Sequence, residues 1–227
     1  MFREGEKLFP FITRYIKKVP ERSVLVITSK ILALSEKRTA PIKNSRTKAE
    51  LIRKESEVAI RTKYVWLTIK DGMMMASAGI DESNANGKLI LLPHDSFAAA
   101  HALRNELRRL YRIKHLGVLI TDSRTIPLRL GVTGVAVGYA GFRGVRDYRG
   151  APDIFGRKFK FARTNVADSL ATAATLLMGE GNEQQPLALI QNAPIEFCEK
   201  VALRETHIDI NEDMYKPLFV RLPKSRR

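Results

Sequence analysis

The apolar run LGVLIT, Leu116–Thr121, stops abruptly at Asp122–Ser123. Such a run reads as a buried strand, and a carboxylate at the tip of a buried strand is costly unless something pairs with it. A second run, SVLVIT at Ser23–Thr28, reads the same way and is followed by Ser29–Lys30. The stretch AGIDESNANG, Ala78–Gly87, sets the adjacent carboxylates Asp81 and Glu82 beside a serine and two asparagines, bracketed by glycines. Yet the chain carries 39 Lys+Arg against 24 Asp+Glu, a net charge of +15. Acidic tips in so basic a protein suggest a small, hard, oxygen-liganded metal site, the usual equipment for handling nucleotide phosphates.

The rest of the chain reads as an irregular alternation of elements. Leu8, Phe11, Ile12 and Tyr15 at helical spacing predict a helix over 4–18, and a short helix opens over 30–36. The polar stretch 43–63 holds a helix around 49–60. Tyr64–Ile69 and Met73–Ala78 read as strands joined by the turn signal Asp71–Gly72, and Lys88–Pro93 as another strand. Asp95–Ser96 caps a long helix over 97–112, with arginines opposite its apolar stripe. Val132–Gly138 is a strand, 139–161 a glycine- and arginine-rich excursion with a short hairpin. Thr164–Met178 is an alanine-rich helix, capped by Thr164 or Asn165, whose small side chains suggest close packing. Pro186–Gln191 is a last strand. Neighbouring strands without intervening helices indicate an α+β fold with mixed or antiparallel sheets rather than a doubly wound one. One domain over 1–227 is expected, with a subdomain excursion around 37–63.

Several function classes are excluded by missing motifs. There is no GxxxxGK[ST] P-loop, no GxGxxG after a strand, no HExxH, no cysteine-based zinc spacing and no GxSxG elbow. GYAGFRG, Gly138–Gly144, has the wrong spacing for a dinucleotide loop. His94, His101, His115 and His207 are scattered and read as surface or core residues. No apolar run approaches the roughly 20 residues that span a bilayer. The start MFREGEK lacks a signal-peptide core, and Cys198 stands alone, so a reduced cytoplasmic protein without membrane association is expected. The positive excess, crowded on the 97–112 helix and in Lys216, Arg221, Lys224, Arg226 and Arg227, points to anionic partners, phosphorylated small molecules or nucleic acid. The oxygen donors that remain are Asp81, Glu82, Asn84, Asp122, Ser123, Asp147, Asp153 and Glu180. An aspartate followed by a serine on one turn could bridge two ions or simply cap the turn, and Lys30 at a strand end is either placed for a phosphate or an exposed lysine at a helix start.

Six ordered blocks are similar to the coenzyme F420-0:γ-glutamyl ligase family: TSKI at Thr28–Ile31, AGIDESN at Ala78–Asn84, ITDS at Ile120–Ser123, VAVGYAG at Val135–Gly141, DYRGAPDIFGRK at Asp147–Lys158 and NVADSLATAATLLMGEGNE at Asn165–Glu183. The resemblance spans nearly the whole chain. It implies an α+β ligase fold in an intertwined homodimer, and GTP-dependent addition of L-glutamate to the deazaflavin precursor F420-0 through an acyl phosphate. Two Mg²⁺ or Mn²⁺ ions are implied, with K⁺ as a further candidate. By matching motif, Asp81 and Asp122 are implied as catalytic ligands of the first metal, and Ser123 and Glu180 as ligands of the second. Ser29, Lys30, Asn84, Gly179, Glu180, Gly181, Asn182 and Glu183 are implied nucleotide contacts, and Arg149 and Arg157 are weaker choices for holding anionic substrate. The chain departs from the family where Leu34 replaces a usual second lysine, Lys37 a glycine, and 125–129 (TIPLR) a Gly-Arg-Pro-Trp-Arg run. The family's GLPLI-like nucleotide segment has no counterpart in these residues. Two alternatives stand beside this reading: a nucleotide-dependent amino-acid ligase with another carboxylate acceptor, and, as the least favoured, a non-catalytic nucleic-acid-binding protein.

Overall fold

A computed structural model of the chain describes residues 1–42 and 44–219; Lys43 and the basic tail positions Arg221, Lys224, Arg226 and Arg227 lie outside them. The two apolar runs become the middle of a four-stranded sheet. β1 (Ser23–Thr28) pairs parallel with β7 (Leu116–Thr125) and antiparallel with β11 (Leu187–Gln191). β8 (Val132–Ala140) closes the other edge against β7. Successive side chains on a strand face opposite ways. Leu25, Ile27, Val118 and Ile120 therefore meet α1 (Leu8–Tyr15) and α4 (Ser96–Tyr111) on one side. Val24, Val26 and Leu119 meet α5 (Val166–Met178) on the other. Cover on both faces is why neither run alternates with polar residues.

The small side chains of α5 do what small side chains permit. Ala167, Ala171 and Ala174 are buried against the sheet, and Gly134 of β8 lies so close that a Cβ there would collide with the Ala171 carbonyl. Thr172 Oγ1 donates to the Gly134 carbonyl at 2.8 Å, stapling helix to strand. Of the two expected caps, Asn165 is the one used: its side chain accepts from the Asp168 amide. Asp95 caps α4 in the same manner.

The remaining strands form smaller sheets. β3 (Val58–Arg61), β4 (Trp66–Lys70) and β5 (Met73–Ala76) make an antiparallel meander, whose β4–β5 turn has Asp71 and Gly72 both at positive φ. β2 (Thr39–Pro41) pairs with β6 (Lys88–Ile90), and β9 (Val145–Asp147) with β10 (Arg163–Asn165). A four-residue α6 (Lys216–Phe219) ends the described chain. The class is α+β with mixed and antiparallel sheets. Among the described residues, no helix is long and apolar enough to cross a membrane.

Three expected elements need correction. The first helix occupies only Leu8–Tyr15, with Lys7 before it and Ile16 after it already in extended backbone. The expected 49–60 helix is α3 (Ser45–Lys54) followed by β3, since β-branched Val58 and Ile60 find pairing partners on β4. Most consequential, β7 does not stop at Thr121: it continues through Asp122 to Thr125 beside β8, after a register shift between Ile120 and Thr121.

Candidate active site

β1 ends at Thr28, level with Thr121, while β7 runs on. The overhang leaves a crevice at the carboxyl ends of two parallel strands, where α/β sheets place their ligands. The bulge in the β7–β8 pairing lies at this point and re-aims the side chains beyond it. α2 (Ser29–Ser35) leaves β1 here, and Ser29 Oγ donates to Asp122 Oδ1 at 3.2 Å. The next residue, Lys30, puts its Nζ 2.6 Å from Asp81 Oδ2 and also donates to the Ser83 carbonyl and hydroxyl at 3.2 and 3.1 Å. Asp81 is fixed by two main-chain hydrogen bonds with Ile90. Its carboxylate accepts from the amide and the hydroxyl of Ser83, each at 2.7 Å. Consecutive residues of α2 thus tie the AGIDESN loop to the β7 overhang.

The far wall of the crevice is the turn after α5. Ser123 Oγ donates to Glu180 Oε1 at 2.5 Å. Asn84, held at φ 53, donates its side-chain amide to the Gly181 carbonyl at 3.2 Å. The Gly181 amide donates to Glu183 Oε2 at 2.8 Å. Gly179 has φ +80, a backbone conformation that favours glycine, and the Glu183 carboxyl lies against its Cα. Asn182 is exposed on the same turn. Asp122 and Ser123 were expected on one turn. They lie instead on a strand, so alternation sends the carboxylate toward Ser29 and the hydroxyl toward Glu180.

The two carboxylates differ electrostatically. Asp122 is pushed up to about 6, chiefly by burial and also by the negative charge of Asp81; the Ser123 amide, the Ser29 hydroxyl and the charge of Lys30 oppose the rise. For Asp81 burial also acts upward, but Lys30 and Ser83 outweigh it and hold the group below the usual aspartate range. One acid is therefore paired and ionised, and the other lacks a cationic partner of its own.

The sequence profile of the family described as F420-0:γ-glutamyl ligase matches residues 1–192 of the chain. The chain belongs to that family. Membership places it among ligases that form carbon–nitrogen bonds. It is 32% identical over 228 residues to the coenzyme F420:L-glutamate ligase of Methanococcus maripaludis strain C7, covering 91% of each chain. It is 30% identical over 235 residues to the ligase of the same name from Methanosarcina mazei, covering 95% of this chain and 91% of the relative. With the ligase so named from Methanopyrus kandleri the identity is 39% over 151 residues, 65% of this chain and 60% of the relative.

In this member of the γ-glutamyl ligase family, the crevice gathers Ser29, Lys30, Asp81, Asn84, Asp122, Ser123 and the 179–183 turn. Among the described residues, no group of three or more His, Cys, Asp or Glu side chains is placed to hold a metal ion. The donors are nevertheless hard oxygens, and Asp122 is a half-buried carboxylate without an ion pair of its own among those residues. This fits Mg²⁺ or Mn²⁺, which keep waters and bind through one or two carboxylates plus substrate phosphates. Ser83, which the sequence reading left without a role, holds both Asp81 and Lys30; its only signal was adjacency to Asp81.

Other oxygen donors go elsewhere. Glu82 pairs with Lys48. Asp147 binds Arg149, and Asp153 caps its own turn by accepting from the amides of Phe155 and Arg157. Arg149 and Arg157 thus belong to the 145–165 excursion, at the other end of α5 from the crevice. Leu34 packs against Ala33, Ala85 and Ile90 beneath the Asp81 loop, an apolar contact.

Proposed function

We propose that this chain is a GTP- and divalent-metal-dependent ligase that joins L-glutamate to F420-0 through an acyl phosphate. The observation that carries the reading is the meeting of Asp81, Lys30, Ser29 and Asp122 in one crevice of a γ-glutamyl ligase family member. The acceptor carboxylate would attack the γ-phosphorus of GTP, forming the mixed anhydride and releasing GDP. The glutamate amine would then attack the acyl carbon, forming the amide and releasing phosphate. Asp81 and Asp122 would hold one divalent ion and Ser123 with Glu180 a second, with K⁺ a further candidate; when bound, such ions supply charge neutralisation for the crowded phosphates. Lys30 Nζ lies between Asp81 and Ser83 and would face the polyphosphate. Asn84 and the Gly179–Glu183 turn would wall the nucleotide, excluding water from an intermediate that hydrolyses readily. Such catalysis is positioning and electrostatics rather than covalent chemistry by the protein.

A homodimer belongs to the proposal. Ile154 and Phe155 on the excursion and Leu128 and Leu130 on the β7–β8 loop are 93%, 88%, 104% and 106% exposed. Apolar surface of this extent suits burial against a second copy. Phosphate release from GTP that requires Mn²⁺, glutamate and F420-0 together tests the reading. Release with another carboxylate and none with F420-0 supports the second reading, a ligase with a different acceptor, which Leu34 and the TIPLR segment favour.

A further inference from the structure

At the amino-terminal end of α5 lies an open cleft of about 610 Å³, a volume suited to a small metabolite. Four guanidiniums enter it from separate points of the chain: Arg143 after β8, Arg146 on β9, Arg149 on the following turn and Arg163 on β10. Two of them are matched by acids. Arg143 binds Glu196 at 3.3 Å, and Arg149 grips Asp147 with contacts of 2.5–3.0 Å. Glu205 is spent on the fold, accepting from the Tyr139 hydroxyl at 2.8 Å and the Gly144 amide at 2.6 Å. Among the described residues Arg146 meets only neutral oxygens, the Pro194 carbonyl and the Tyr148 hydroxyl. Arg163 has Asp147 only at 3.8 Å, and that carboxylate is already engaged by Arg149. The β9–β10 ladder sets Arg163 opposite Asp147 and Thr164 opposite Arg146, so the arginines emerge from paired backbone rather than from a free loop. Paired forks with spare N–H groups match the oxygens of phosphate or carboxylate.

The cleft is remote from the crevice. Val166, the first residue of α5, lines it, whereas the last turn of the 13-residue helix leads into Gly179–Glu183. At ~1.5 Å per residue the two ends are roughly 20 Å apart. We propose that this cleft is a second anion site, separate from the Asp81–Asp122 crevice, that takes a small multivalent oxyanion through Arg146 and Arg163. The inference goes beyond the ligase reading and stands or falls independently of it.

Isothermal titration of the full chain at low salt, without divalent metal, tests the site with pyrophosphate and, separately, citrate. Binding of pyrophosphate alone identifies a phosphoryl site, and of citrate alone a carboxylate site. The Arg146→Gln/Arg163→Gln variant should bind ~10-fold or more weakly, about 1.4 kcal/mol. Asp122→Asn should bind as the wild type does. Thermal unfolding checks that the double variant folds, and Arg146→Gln alone serves if it does not. No binding of either anion by the wild type, or undiminished binding by the folded arginine variant, overturns the proposal.

Discussion

Ser123 Oγ donates to Glu180 Oε1 at 2.5 Å, joining β7 to the turn after α5 across 57 residues of sequence. The bond is partly open to solvent, so its loss should cost little stability, on the order of 0.5 kcal/mol. If both groups also hold a cation, the cost falls on turnover. Ser123→Ala is expected to lower Mn²⁺-dependent phosphate release from GTP ~10- to 100-fold, with the unfolding midpoint nearly unchanged. Wild-type turnover over a full Mn²⁺ titration would reduce Ser123 to a structural residue.

Asp122 yields a stability prediction with a definite sign. Its carboxyl titrates at about 6 in the folded chain against an ordinary 3.8. Between those values the folded chain keeps a proton that the unfolded chain has released, so stability falls as pH rises through the window. Above it, the folded state carries the cost of a partly desolvated charge. In the presence of a chelator, Asp122→Asn should therefore unfold at a higher temperature than the wild type at neutral pH, with a flatter profile between about pH 4 and 6.5. Superimposable midpoint–pH curves for the two proteins would sink this assignment. The same variant should have lost metal-dependent turnover.

Asp81 and Lys30 form an ion pair whose members should fail differently. Asp81→Asn leaves the main-chain bonds to Ile90 and should fold. It removes a charged oxygen from the crevice, and a loss of phosphate release of ~100-fold or more is expected. Lys30→Ala should chiefly weaken nucleotide binding, read as a higher KM for GTP with a smaller change in kcat. A Lys30→Ala enzyme with unaltered KM would show that the lysine serves Asp81 alone.

What the sequence made legible follows from range. Local signals fixed the cap at Asp95, narrowed that of α5 to Thr164 or Asn165, and gave the Asp71–Gly72 turn and the close packing of α5, because each is settled within a few residues. AGIDESN and ITDS announced oxygen-rich loops, but composition could not say that they meet. Their meeting depends on the parallel pairing of β1 with β7, which puts Ser29 beside Asp122 across 93 residues. The overhang of β7 was hidden because Asp122–Ser123–Arg124 is polar and reads as a turn; cross-strand pairing with Val135, Gly134 and Thr133 overrides that preference. β3 was lost for the same reason, its strand character appearing only against β4.

The contact of α5 with β8 predicts a defect transmitted along the helix. Gly134→Ala would drive a methyl into the Ala171 carbonyl and the Thr175 hydroxyl, backbone and side chain that cannot both yield. Overpacking of this kind costs about 1–3 kcal/mol. Because α5 ends in the Gly179–Glu183 turn, its displacement should also lower turnover. Gly131→Ala, where a Cβ meets nothing within 4 Å, is the control for strain alone at a positive φ. Equal midpoints for the two variants would contradict the close approach.

The excursion beyond β9 tests the homodimer. Phe155 and Phe161 are each 88% exposed, a large aromatic surface on a hairpin held by the β9–β10 pairing and its own backbone bonds. Neither ring is used by the cores on the two faces of the central sheet. Phe155→Asp/Phe161→Asp should therefore leave each protomer folded, with far-ultraviolet circular dichroism unchanged, while moving the mass from dimer to monomer in light scattering at micromolar concentration. A charge placed in a dry interface costs several kcal/mol per copy, enough to dissociate a dimer of ordinary affinity. A wild-type chain already monomeric under those conditions would leave the apolar surface uncovered and overturn the dimer, whereas a variant that stays dimeric would move the interface to Leu128 and Leu130.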